Sequence, residues 1–193
     1  DITERKIAQD ALRKNEEMLR QIIDIIPDRI FVKDINGKFI LNNVAHLKAL
    51  GIKSQQEALG KTDRDFRSEE RARTYETQDK NVIRTQVPLI DYVQHEIKDD
   101  GREAWQLVSK LPFKTDDGEV IGIVGISKEI TDQKIADNLL RESKRRFQTL
   151  ANVSPVGIFR TDVSGFTTFV NPRWCEISGL TAEEALGDGW LSA

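Results

Sequence analysis

Apolar positions set the first element. Ala8, Leu12, Leu19, Ile22 and Ile26, with Asn15 among them, alternate at spacings of four and three residues. That is an a/d seam, which predicts an amphipathic helix. Ile7, Ala11, Met18 and Ile25 widen the stripe. Pro27 ends it, because proline lacks an amide proton and disfavours helix in the residue before it. Two readings of the seam stay open. Leu12, Asn15, Leu19, Ile22 and Ile26 can pair with a second copy, Asn15 fixing the register. Alternatively the helix lies on its own domain and covers a sheet face.

Beyond Pro27 the period changes. Short β-rich runs over 29–33 and 39–41 flank Asp34-Ile35-Asn36-Gly37, whose Asn-Gly favours a tight hairpin. Helical pieces follow over 44–50, ended by Gly51, and over 55–59, capped by Ser54 and ended by Gly60. Thr62 or Asp63 can cap a further turn near Phe66, and a charge-rich helix covers 69–84. Runs over 89–97, 104–113 and 120–126, separated by Asp99-Asp100-Gly101 and Asp116-Asp117-Gly118, read as a three-strand meander. Two strands, several short helices and three more strands predict an α+β domain. Its five-stranded antiparallel sheet carries short helices on one face, with the amphipathic N-terminal helix as cover for the other.

The pattern then starts again. At an offset of 128 positions Ile2-Thr3 returns as Ile130-Thr131, Pro27 as Pro155, Ile30-Phe31 as Ile158-Phe159, Asn43 as Asn171 and Gly51 as Gly179. The second copy stops near its midpoint. Without the meander that would close its core, it is expected to be disordered alone or to rest on a neighbour. A second helix is expected from about residue 135 to 153.

Composition excludes several functions. With 29 Lys+Arg against 32 Asp+Glu the net charge is -3, which gives no general attraction for nucleic acid or anionic lipid. The single cysteine, Cys175, excludes an internal disulfide and a cysteine metal cluster. No apolar run approaches the ~20 residues needed to cross a bilayer. The expected location is cytoplasmic. Neither a phosphate-cradling glycine pattern nor a nucleophile turn is present, and Gly118, Gly122 and Gly125 do not fit a nucleotide fingerprint.

Taken in order, these landmarks resemble the Per-Arnt-Sim (PAS) sensory domain of bacterial and archaeal signalling proteins. Ile30-Phe31-Val32-Lys33-Asp34 with Gly37 is similar to its opening hairpin, and Asn43-Val44-Ala45 to the start of its first inner helix. Gly60-Lys61-Thr62-Asp63 with Phe66, Asp100-Gly101 with Trp105, and Asp117-Gly118-Glu119-Val120-Ile121-Gly122 follow in the family's sequence. Glu129-Ile130-Thr131 resembles its closing Asp-Ile-Thr triplet, and Asp1-Ile2-Thr3 is that triplet intact, which implies an earlier PAS domain upstream. The organisation implied is a linker helix over 1–18, a complete domain over 19–131, a linker over 132–146 and the first part of a second domain over 147–193. The resemblance implies a non-catalytic sensor module, in tandem with neighbouring PAS domains and an output domain such as a histidine kinase. Its signal would pass through Glu129, Ile130 and Thr131 into a helical linker, and a homodimer would form through the N-terminal helix. The runner-up is a small-molecule or flavin/haem-binding redox sensor.

The cofactor and ligand stay unknown at this point. The helix over 69–84 contains no histidine to ligate haem, and Cys175 lies outside the Asn-Cys-Arg-Phe-Leu-like run that cysteinyl-flavin photochemistry needs. Noncovalent flavin stays open. Phe66, Tyr75, Tyr92, His95 and Trp105 are the pocket candidates, with plain core packing as the competing reading. His46 reads as a packed or surface histidine. Glu69, Glu70, Arg71, Arg73, Glu76, Asp79 and Lys80 read as one solvated helix face.

Overall fold

The computed structural model describes residues 2–98 and 100–189, with side chains from Arg5 onward. Asp1 of the first triplet, Asp99 of the first Asp-Gly turn and Trp190 to Ala193 lie outside the described residues. The chain divides into two compact units, Asp1–Thr131 and Asp132–Ala193.

In the first unit, helix α1 (Ile2–Ile25) stops before Pro27, as the proline requires. Strands β1 (Arg29–Asp34) and β2 (Phe39–Asn42) form the opening hairpin. Gly37 turns it with a φ of 78°, a value that a side chain would strain. Helices α2 (Val44–Leu50), α3 (Gln55–Ala58) and α4 (Glu69–Thr85) precede strands β3 (Leu89–Ile97), β4 (Glu103–Lys114) and β5 (Val120–Glu129). All pairings are antiparallel, in the order β2-β1-β5-β4-β3. The last strand thus inserts beside the first. This is the α+β sheet expected, with the 29–33 and 104–113 runs sharing one layer through β5.

Phe31, Phe39, Leu47, Leu50, Ala58, Val82 and Ile123 form the core at the β2 side, with Ile52 and Phe66 packed against it. Asn43 ties the hairpin to its surroundings. Its Oδ1 accepts from the backbone N–H of His46 and of Ile30, both at 2.9 Å. Its Nδ2 donates to the carbonyls of Ile23, Ile26 and Asp28 at 3.0, 3.2 and 2.8 Å. One buried amide therefore caps α2 and fixes the end of α1 to the sheet. Gly122 allows β1 and β5 to approach closely: a Cβ there would stand 1.9 Å from the Lys33 carbonyl oxygen.

The expected cover is not seen. Leu12, Leu19 and Ile22 on the α1 seam are exposed, and so are Val93, Leu111 and Ile126 on the outer sheet face. Helix α1 meets the domain through α2, where Asp24 Oδ1 accepts from Val44 N at 3.0 Å. Pro27 and the Asn43 anchor fix it at that end.

The second unit carries helix α5 (Thr131–Val153), the hairpin β6 (Phe159–Thr161) and β7 (Thr167–Val170), and helices α6 (Pro172–Ser178) and α7 (Ala182–Ala185). Its defined elements differ from the expected disorder. Asn171 does here what Asn43 does above: Oδ1 accepts from Ile158 N and Trp174 N at 2.8 and 2.9 Å, and Nδ2 donates to Ala151 O and Val156 O at 2.8 and 3.0 Å. That local network needs no meander. Phe159 and Val163 remain exposed.

Candidate ligand cavity

Between the inner sheet face and α4 lies a cavity of about 50 Å³. Strand β1 contributes Arg29, Phe31 and Lys33; β4 contributes Gln106, Val108 and Lys110; β3 contributes Gln94 and Glu96. Arg71, Tyr75 and Gln78 come from α4, Arg67 from the loop before it, Asp63 from a 3-10 turn over Asp63–Asp65, His46 from α2 and Ser127 from β5. Side chains alternate across a strand, so Gln94 and Glu96 point inward together, as do Gln106, Val108 and Lys110.

The wall nearest the core is a buried ion network. Lys33 bonds both Asp63 and, at 2.7 Å, Asp79. Lys110 Nζ meets the other Asp79 oxygen at 2.5 Å. All four groups are nearly inaccessible. Burial presses both ammonium groups toward neutrality. Asp79 and Asp63 together outweigh it at Lys33, whose pKa is raised. Asp79 does not outweigh it at Lys110, whose pKa is lowered, with Lys33 adding repulsion.

A second network lines the cavity beside it, meeting the first where Lys110 Nζ stands 5.6 Å from the centre of the Tyr75 ring. Tyr75 donates its hydroxyl to Glu96, and Arg71 donates to Glu96 Oε1 and to the Tyr75 oxygen, each at 3.2 Å. Burial, and then Glu96, push the Tyr75 phenol up to about 12. His46 stacks on Phe31 with centroids 4.9 Å apart, and its Nδ1 bonds Asn42 Oδ1 at 2.6 Å. Burial, then Lys33, Arg67 and Arg29, hold its pKa down to about 3, so the ring is neutral at pH 7.

Other polar groups are left open to the cavity. Gln78 Nε2 donates to Gln94 at 2.7 Å, which leaves Gln78 Oε1 buried without a partner among the described residues. Gln106 Oε1 accepts from Ser127 at 3.1 Å, while its Nε2 is buried and without a partner among the described residues. Arg67 lines the space with no ion pair or hydrogen bond among the described residues, and burial and then Arg71 lower its pKa.

A polar line runs from the cavity to the end of the domain. Arg29 Nη2 donates to Glu129 Oε2 at 2.7 Å, and Lys98 Nζ to Glu129 Oε1 at 2.9 Å. These bonds, Lys98 first, hold the Glu129 carboxyl below its usual range against a smaller effect of burial. Ile130 N donates to Trp105 O at 2.8 Å, and Trp105 N donates to Thr131 Oγ1 at 3.0 Å. The triplet thus clips the first residue of α5 to β4.

Of the five pocket candidates, Tyr75 lines the cavity. Phe66 packs on Phe39 in the core, with ring centroids 6.1 Å apart. Tyr92 stands exposed near the start of β3, off the cavity. His95 and Trp105 pack against each other as tilted rings with centroids 4.5 Å apart on the outer sheet face. Their parity corrects the inward reading: on β3 and β4 the cavity side is the polar one. Arg71 and Asp79 likewise turn inward from the helix face read as solvated. Arg29, Lys33, Arg67, Gln94, Glu96, Gln106 and Lys110 were missed. The available signal was that apolar Val93, Ile97, Leu107 and Leu111 alternate with them, marking two faces without saying which is inside.

A curved antiparallel sheet that holds a hollow against helices, and ends at a hydrogen-bonded corner before a long helix, is the architecture of a sensory domain. The PAS-fold family model matches residues 23–135, and a second PAS-domain model matches 145–192. The chain belongs to the PAS family, and its domains are those of a signalling protein. An uncharacterised protein, y4lL, from Sinorhizobium fredii is 26% identical over the whole of this chain, which spans 23% of that protein. The methanogenesis regulatory histidine kinase FilI of Methanothrix harundinacea is 29% identical over 74% of this chain and 16% of its own length. The chain therefore spans under a quarter of these relatives. Among solved structures, the VqmA–ligand–DNA complex of Vibrio cholerae superposes with a TM-score of 0.53 at 22% identity, covering 65% of this chain and 58% of that one. At that identity the likeness is one of fold. No helix among the described residues is long and apolar enough to cross a membrane.

Proposed function

We propose that residues 19–131 form a non-catalytic sensor that couples the state of its cavity to an output domain through α5. The observation that supports this most is the hydrogen-bonded line from Arg29 through Glu129 to Thr131. Arg29 touches the cavity and Glu129 touches the helix start, so a change in the first alters the second without any large motion. The output domain, on this reading, is a histidine kinase, as the name of FilI gives for that relative, in a cytoplasmic protein with further PAS domains beside this one. Residues 1–18 and 132–146 act as helical linkers.

Dimerisation through Leu12, Asn15, Leu19, Ile22 and Ile26 belongs to the same proposal. Leu12, Asn15, Leu19 and Ile22 are exposed in the single chain, with Ile26 half-buried just past the end of α1, and pairing would remove that apolar surface from water. Light scattering over a concentration series tests it. The protein is expected to dimerise, and Leu19→Asp to weaken association at least tenfold, because a carboxylate would be buried in the seam. A protein that stays monomeric at high concentration contradicts this part.

A further inference from the structure

We propose that the cavity takes a small 2-hydroxycarboxylate monoanion, of the size of glycolate, with Arg67 and Gln106 as receptors for its carboxylate and Gln78 as receptor for its hydroxyl. This rests on the sensor reading above and adds the chemistry of what is sensed.

Charge comes first. Arg29, Lys33, Arg71 and Lys110 each have a carboxylate partner, in Glu129, Asp63 with Asp79, Glu96, and Asp79 respectively. Arg67 alone of the cavity's cations has none among the described residues. A guanidinium there matches a carboxylate in two parallel hydrogen bonds. The neutral groups then narrow the class. Gln106 is 2% exposed and its Nε2 has no acceptor, which a second carboxylate contact would supply. Gln78 Oε1 lacks a donor, which an alcohol provides and a simple fatty acid does not. Volume sets the size. At about 50 Å³ the cavity lies far below the roughly 300–1,000 Å³ of pockets for drug-sized ligands, which favours a small occupant over flavin, haem or a nucleotide.

Isothermal titration and thermal unfolding of the 193-residue chain at pH 7 test this with glycolate, lactate, acetate and neutral glycolamide. Glycolate is expected to bind and raise the Tm, with acetate weaker for want of the hydroxyl and glycolamide without effect. Arg67→Gln is expected to weaken glycolate at least tenfold, with partial rescue by Arg67→Lys. Because Arg67 is partly exposed, these variants keep the fold. Gln106→Leu is expected to weaken glycolate and acetate alike. Glycolamide binding as tightly as glycolate, or unchanged affinity in Arg67→Gln, overturns the proposal. If native mass spectrometry after incubation with a metabolite extract finds a neutral or cationic compound bound and glycolate does not bind, the ligand class falls and the sensor reading stands. If neither glycolate nor any metabolite binds, both fall.

Discussion

Replacing Asp79 with Asn is expected to destabilise the protein by about 3–5 kcal/mol, the largest effect of any conservative change in the domain. One carboxylate serves two buried ammonium groups, Lys33 at 2.7 Å and Lys110 at 2.5 Å. Asparagine preserves the shape and removes the charge. Lys33 would retain Asp63, but Lys110 would be left without a carboxylate, with only neutral acceptors such as the Tyr75 carbonyl at 3.4 Å and the new amide oxygen. The cost is that of an uncompensated buried cation, not the net worth of the pair, since bringing charges out of water is itself expensive. A double variant separates the two. Asp79→Asn with Lys110→Met should cost less than the sum of the single changes, because methionine removes the ammonium that asparagine leaves stranded. Urea unfolding of the three variants checks this. A loss under about 1 kcal/mol for Asp79→Asn would mean that the network is solvated, as exposed pairs are.

The second large effect is one of pH. The pKa of His46 is held down to about 3 in the folded state, against an ordinary value of 6.5 for the unfolded chain. Between those values the unfolded state binds the extra proton, so stability rises with pH there. The contribution is complete above 6.5 and is lost as pH falls below it. Each unit is worth about 1.4 kcal/mol, so about 2 kcal/mol should be gone by pH 5. Carboxylates also begin to titrate in that range, and a comparison with His46→Gln isolates the ring. The advantage of wild type over this variant is expected to shrink by about 2 kcal/mol between pH 7.5 and pH 5. Parallel stability–pH curves would show that His46 protonates in the folded state as freely as in the unfolded one.

Much of the fold could be read from local chemistry. Pro27, the Asn36-Gly37 turn and Gly51 punctuate the chain where their backbone preferences require, and α2 runs over Val44–Leu50 as expected. Asn43 and Asn171, a repeated pair of which Asn43 stands at the expected helix start, share one capping and bridging role. The cavity was harder. Alternation along a strand defines two faces, and the usual rule assigns the apolar one to the interior. In β3 and β4 the rule inverts, because Gln94, Glu96, Gln106 and Lys110 face a polar hollow while Val93, Leu111 and their neighbours face outward. Residues that complete each other's charges are also far apart in the chain: Lys33 and Asp79 are separated by 46 positions. No local pattern reports such a pairing. The expectation that α1 covers the sheet was not met for a related reason, since an amphipathic stripe says that a face is to be covered and leaves open by what.

The claim on which the rest depends is that the cavity wall and the start of α5 are physically joined through Glu129. Hydrogen exchange at the amides of residues 131–136, compared between wild type and Arg29→Gln, tests it most directly. Loss of the Arg29–Glu129 bond should free the corner and speed exchange there about fivefold, the equivalent of about 1 kcal/mol. Amides of the central strands, such as Phe31 and Ile123, should exchange as before. Unchanged exchange at residues 131–136 in a variant that has lost that bond would contradict the account.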